Sequence, residues 1–233
     1  MPMLETFPWT GGIVFHAPHA CVVAALNPSW DLLADFKNGA VFGFVLDGEN
    51  ATLRQYGRMH SIGSGSYFVI NAGTGELTNP GGKVMLIYQP EADFPFMIGG
   101  SVEPYGRLKY INGCTDSVLI PPWRKGEACL NHLHIPPGVE QTMHTHPSDR
   151  IGVVYRGRGQ CVTPAGVSEL APGVLWRIPE HAPHRFRTTD KHLHIVAWHP
   201  DSDVGPTDEN HPMIGRTFVD GVRASEIETI RTR

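Results

Sequence analysis

Three stretches of this chain recur, in order, at nearly constant spacing. Positions 41–48 (VFGFVLDG) match 150–157 (RIGVVYRG), 65–70 (GSYFVI) match 173–178 (GVLWRI), and 83–90 (KVMLIYQP) match 192–200 (HLHIVAWHP). The offsets are 109 and 108 residues for the first two and 109 to 110 for the third, which holds one extra residue in its second copy. Ordered matches at one period indicate two copies of a single unit in tandem. We therefore expect two domains, residues 1–105 and 106–233. Each unit reads as short β-branched or aromatic runs, and the 26 Gly and 20 Pro of the chain supply many turns between them. That pattern predicts an all-β antiparallel sandwich or barrel. Runs such as 153–155 and 195–198 are too short for helices. The helical signals are weak. Ser225 and Glu228 make a capping box with Ile227 and Ile230 on one face, which predicts a short C-terminal helix. Positions 29–36 read as one or two further helical turns.

The formal charge of −4 and the lack of a basic block exclude the electrostatic footprint of a nucleic-acid binder. Cys21, Cys114, Cys129 and Cys161 are scattered without a CxxC, so a disulfide framework is not expected and a reducing compartment fits. The first dozen residues show no signal-peptide pattern, and no stretch reaches membrane-spanning length. These features predict a cytoplasmic protein without membrane or nucleic-acid partners.

Thirteen histidines crowd toward the second half. His144 and His146 stand at i and i+2, so on an extended segment both imidazoles point the same way and can converge on one metal ion.

The stretch 138–157 (GVEQTMHTHPSDRIGVVYRG) resembles the first cupin motif: a Gly, five residues, His-x-His, three or four residues, Glu, six residues, Gly. Gly173, Pro179 and His184 match the second motif. The chain thus resembles a two-domain cupin, with two cupin-type antiparallel β-sandwich barrels (double-stranded β-helix, or jelly-roll) in tandem. There are two departures. Arg150 stands at the Glu position, and His181 stands where the second motif has Gly.

The resemblance implies one divalent metal in the C-terminal barrel, held by His144, His146 and His184. Three neutral imidazoles suit Fe(II), Ni(II), Cu(II), Zn(II) or Mn(II). At the matching offset the first repeat carries Asp35, Lys37 and Glu76. An ammonium between two acids repels a cation, so the N-terminal copy is read as a cupin-like domain without metal ligands.

If the second motif strand aligns as in cupins, Arg150 points inward and Asp149 outward. A guanidinium beside a metal dication calls for an anion between them. Arg150 is therefore a candidate clamp for a substrate carboxylate, weighed evenly against an ion pair with Asp149 or Glu140. Arg185 and Arg187 read as outward charges. In the pair His132-Leu-His134, His134 is a candidate catalytic acid or base in the pocket, with an outer sheet face as its alternative; His132 reads as outer-face. His181, His192, His194 and His199 are read as outer-face or loop residues, although the strand of His199 could reach the barrel lining. Tyr155 is read as outside the site. The acidic stretch 199–213 is read as a solvated connection packed on the partner domain, ahead of a lid or a cation-binding loop.

Three functions follow, in this order. The first is a non-haem Fe(II) dioxygenase acting on a small anionic, carboxylate-type substrate chelated to the metal. The second is a metal-dependent isomerase, lyase or decarboxylase of a small acid or sugar. The third is a non-catalytic binder of small anions. The resemblance also makes a homodimer the expected assembly.

Overall fold

The computed structural model describes residues 3–17, 19–26, 29–31, 36–79 and 81–232. Two large antiparallel sheets dominate it. The first runs in the order Met97–Gly99, Tyr67–Asn71, Gly39–Asp47, Lys83–Pro90, Ala20–Leu26, Gly12–Ala17. The second runs Glu5–Phe7, Leu175–Ile178, Arg150–Gly157, Leu193–His199, Cys129–Ile135, Thr115–Ile120, Leu108–Lys109. The three repeated stretches occupy equivalent adjacent places in the two sheets, as a tandem duplication requires. A smaller sheet accompanies each: Ser29–Asp31, Gly75–Thr78, Ala51–Gln55 and Arg58–Ile62 with the first, and Gly166–Leu170, Gly159–Thr163 and Arg185–Arg187 with the second.

Alternation decides which core each side chain joins. Along Gly39–Asp47, Phe42 and Phe44 point to a core shared with the second sheet, where they meet Val153, Tyr155, Val196 and Trp198. Val41 and Val45 point the other way, into the N-terminal barrel, beside Leu53, Phe68, Ile70 and Leu77. The strand is thus buried on both faces, which is why it reads as an unbroken apolar run. Aromatic edges seal the shared layer, with Phe42 against Trp198 at 6.1 Å and Phe44 against Tyr155 at 5.1 Å. Tyr155 therefore lies outside the candidate pocket, as alternation predicts, and packs on the other half of the chain.

Among the described residues, the N-terminal barrel packs tightly around Phe68. A Cβ at Gly43 would meet Phe68 at 2.1 Å, so glycine there makes room for a fully buried ring. The C-terminal barrel has its own apolar cluster, including Val154, Trp176, Ile178, Phe186 and Ile195. There the side chains leave a cavity.

Some local expectations change. Ser29–Asp31 is a strand paired with Gly75–Thr78, not a helical turn; positions 32–35, and Asp35 with them, lie outside the described residues. Strand pairing sets Asp31 across from Glu76. Glu76 makes an exposed ion pair with Arg54, 3.3 Å apart. The helix expected at Ser225 does not form: residues 224–230 make two separate 3-10 turns, Ala224–Glu226 and Glu228–Ile230. The short α-helix near the C-terminus is instead α1, Pro212–Arg216, with His211 as its cap and Pro in the first turn. The 199–213 stretch is pinned to its own half, through Lys125 N–H to Pro206 O and Gly126 N–H to Ser202 O. No helix among the described residues is long and apolar enough to cross a membrane.

The first strand is the least local element. Glu5–Phe7 pairs with Leu175–Ile178, and Trp9 Nε1 donates to Gly173 O at 2.7 Å. That sheet edge is covered from within the chain.

Candidate metal centre

His144 does not lie on a continuous strand. It forms a single antiparallel bridge with His184, closed by His144 N–H to His184 O and His184 N–H to His144 O, both 2.9 Å. The bridge sets the two imidazoles on one side, with ring centres 4.6 Å apart. His146 completes the group at 5.1 Å from each. One nitrogen from each ring lies within 4.8 Å of the others.

Two of the rings are oriented by their own backbone. His144 Nδ1 lies 2.8 Å from Thr142 O, and His184 Nδ1 lies 2.9 Å from Ala182 O. A carbonyl only accepts, so each Nδ1 carries the proton and each Nε2 keeps its lone pair. Metal-binding imidazoles are held in their tautomer this way. Burial pushes His184 down to about 4, and burial reinforced by Arg150 pushes His146 down to about 3. Both are neutral at pH 7, as ligands must be. The donor set therefore fits a divalent transition metal.

The turns of both motifs are visible in the backbone. Gly157, the closing glycine of the first motif, has φ +81°, and a Cβ there would meet His192 O at 1.8 Å. His181, in the glycine position of the second motif, takes φ +58° and donates its N–H to His146 O at 2.8 Å. The departure from the motif changes the residue but not the backbone shape.

A cavity of about 410 Å³ opens beside His146 and His184. Trp176, Ile178, Phe186, Leu133, Ile195 and Ala197 give it apolar walls. Arg150, Asp116, Tyr110, Asn131 and His199 supply polar groups. Arg150 is partly buried, and its Nη1 donates to Ser148 Oγ at 2.7 Å and to the Ser148 and Asp149 carbonyls at 3.1 Å. The two candidate acid partners are engaged elsewhere. Asp149 binds Arg177 at 2.8 Å, and Glu140 binds Arg185 at 2.6 Å. Among the described residues no carboxylate lies within ion-pair distance of Arg150. Arg185 and Arg187 are absent from the lining, in keeping with their outward reading; Arg187 binds Gln160.

His134 does not reach the cavity. Leu133 and Asn131 of its strand do, so His132 and His134 project from the opposite face. His199 does line the cavity. Its Nδ1 donates to Asp201 O at 2.6 Å, leaving Nε2 2.9 Å from Cys129 Sγ. Burial holds that thiol up at about 12.

Asp116 escaped the sequence reading. It stands opposite Leu133 in the sheet register and shares its face, and burial raises its carboxyl to about 7. A single acid in a short strand (TDSVLI) gives no signal without that register.

Residues 131–199 match the Cupin domain family, a span that holds all three clustered histidines. No curated protein matches the chain. Solved structures share the fold at low identity. The putative glyoxylate-induced protein from Pseudomonas aeruginosa superposes with TM-score 0.66 at 14% identity, over 88% of this chain and 82% of its own. A cupin 2 conserved barrel domain protein from Leptotrichia buccalis gives 0.59 at 12% identity, over 85% and 89%. Salicylate 1,2-dioxygenase from Pseudoaminobacter salicylatoxidans, solved as adducts with gentisate, gives 0.59 at 11% identity, over 78% and 68%. The paired barrels give the chain a cupin-type fold, and the stretch that matches the Cupin domain family holds the histidine triad beside an open cavity.

Proposed function

We propose that the C-terminal barrel is an Fe(II) dioxygenase centre for a small anionic substrate, with the metal held by His144, His146 and His184. Arg150 carries this reading. It enters the same cavity as His146 and His184 and is held by neutral oxygens rather than by a carboxylate. A partly buried guanidinium without a direct carboxylate partner favours an anion, and its fork matches a carboxylate. When bound, the metal would supply a redox-active Lewis acid with open positions for substrate and O2.

The chain's own residues supply the rest. Arg150 orients the carboxylate. Trp176, Ile178, Phe186 and Ile195 pack the apolar remainder and exclude water. The cavity volume suits an aromatic or short aliphatic acid, and gentisate, bound by the salicylate dioxygenase of similar fold, belongs to that class. The N-terminal barrel acts as a packing partner without metal. Cytoplasmic residence accords with Cys114, Cys129 and Cys161, which are buried free thiols.

Oxygen uptake after anaerobic Fe(II) loading, screened against hydroxy-, thio- and aromatic acids, tests the proposal. Consumption in step with substrate loss, abolished by His184→Ala, is expected. A second reading, metal-assisted isomerisation, lyase or decarboxylation chemistry, is favoured by Asp116. Its carboxyl, held near 7 in the same cavity, is poised to give or take a proton. Turnover without O2, sustained by Zn(II) or Ni(II), would select that reading.

A further inference from the structure

A second histidine cluster lies on the other face of the sheet that lines the cavity. His134 and His194 are direct partners across Cys129–Ile135 and Leu193–His199, and His192 sits one residue before the latter strand. The ring centres of His134 lie 5.0 Å from His192 and 4.8 Å from His194. One nitrogen from each of the three rings lies within 4.8 Å of the others. The residues lining the cavity from these strands are Asn131, Leu133, Ile195, Ala197 and His199, of the opposite parity. The cluster is therefore separate from the triad described above.

We propose that His134, His192 and His194 form a second binding site for a divalent transition metal of the Zn(II), Cu(II) or Ni(II) class. The hydrogen-bond network carries the assignment. His194 Nδ1 lies 3.1 Å from His132 Nε2. His134 Nδ1 lies 3.4 Å from Thr115 Oγ1, and its Nε2 lies 2.8 Å from His192 Nδ1. If Nδ1 of His134 and Nδ1 of His194 donate to these outer partners, each Nε2 keeps a lone pair. Unlike the backbone carbonyls at His144 and His184, His132 and Thr115 can donate as well as accept, so they admit the ligand tautomer and orient the rings. In that arrangement His192 Nδ1 donates to the His134 lone pair. When an ion binds, the exposed His192 ring shifts its proton to Nε2 through solvent, so that Nδ1 is free to ligate and the ring stays neutral.

The remaining features fit an entry site. His134 is buried at 2% exposure and fixed by Tyr105, which stacks edge-on at 5.1 Å. His194 is partly buried, while His192 is exposed. The exposed ring can swing onto an incoming ion and leave a coordination position to water. Tetrahedral coordination places imidazole nitrogens about 3.3 Å apart, so small ring movements suffice. Three imidazoles without a carboxylate select borderline transition metals over Mg(II) or Ca(II). Arg156, the nearby cation, is turned onto the Tyr155 ring and donates to its hydroxyl.

The ion would clamp two neighbouring strands whose other faces form the cavity wall. The test is Zn(II) titration of metal-free protein by calorimetry, with Co(II) absorption as a second readout. Wild type is expected to bind two equivalents. The His144→Ala/His146→Ala variant should keep one, with tetrahedral Co(II) bands, and adding His192→Ala should abolish it. His192→Ala alone should reduce two equivalents to one. Because His192 is exposed, an unchanged melting temperature of the metal-free His192→Ala chain confirms that the fold is intact; if that chain is perturbed, His192→Asn takes its place. If the His144→Ala/His146→Ala variant binds no Zn(II), or its binding survives loss of His192, the proposal fails. Neither result bears on the cavity-side triad, which His192→Ala leaves whole.

Discussion

Arg150 and Asp201 are joined through one hydroxyl: Arg150 Nη1 donates to Ser148 Oγ at 2.7 Å, and Ser148 Oγ donates in turn to Asp201 Oδ1. The serine relays the acid's influence without letting it neutralise the guanidinium. Asp201 thereby fixes Arg150 in place yet leaves its fork for a ligand.

Removing the fork and loosening it should differ in degree. Arg150→Ala is expected to weaken binding of a carboxylate ligand about 10- to 100-fold, the range of a charge-assisted pair. Ser148→Ala, which keeps the guanidinium but frees it, should weaken binding by only a few-fold. Ligand titration of the metal-loaded protein measures both. Equal affinity in Arg150→Ala and wild type would remove Arg150 from the site.

The bridge between His144 and His184 is made of backbone, whereas the proposed metal contacts are side chain. His184→Ala should therefore lose the cavity-side metal while the metal-free chain keeps its β-sheet circular dichroism. Metal analysis after dialysis, with far-ultraviolet spectra alongside, checks the two together. Full retention of that ion would show that the triad does not hold it.

Asp116 predicts a pH dependence of stability. Burial lifts its carboxyl from 3.8 to about 7 in the folded chain. Between these values the folded state binds more protons than the unfolded one, so stability falls as pH rises. The contribution is full below about 4 and lost as pH rises through about 7, on the order of a few kcal/mol. Asp116→Asn should flatten this slope in melts of metal-free protein between pH 4.5 and about 8. A mutant with the wild-type slope would assign the dependence to another group.

His181 holds a positive φ of 58° that glycine adopts more readily. The left-handed region costs an ordinary residue about 1–2 kcal/mol, part of which glycine returns as unfolded-chain entropy. His181→Gly is expected to stabilise the chain by about 0.5–1 kcal/mol in denaturant melts. A loss of stability would mean that the imidazole contributes more than its backbone costs.

Trp198 couples the halves. It is buried against Phe42, and its indole N–H has no hydrogen-bond partner. Trp198→Ala should cost about 3–5 kcal/mol and lower a single shared transition. Trp198→Phe should cost much less, because it also removes the unpaired donor. Two separated transitions in wild type would show that the barrels melt independently.

The barrels were legible because duplication writes the same strands twice, and the cavity-side histidines because the motif turns fix their spacing. Contacts set by register were not legible. His192 and His194 read as outer-face residues, which is true of their side of the sheet, but only the pairing of His134 with His194 brings them together. Asp116 needed the same register to face the cavity. The helix expected from Ser225 gave way to two 3-10 turns because a capping box over a few residues is too short to sustain a helix without packing.

The strand Glu5–Phe7 imposes an order in time. Trp9 and Gly173, its neighbours in the same junction, are 164 positions apart. On a ribosome this segment must wait, unpaired, until its partner some 164 positions later has been made. Loop closure of this length is slow, so completion of the second sheet should be a late event in folding. Until then Leu175–Ile178, which carries two walls of the cavity, presents a bare edge to any other chain. A strand made long before its partner thus guards the edge of the second sheet against intermolecular pairing.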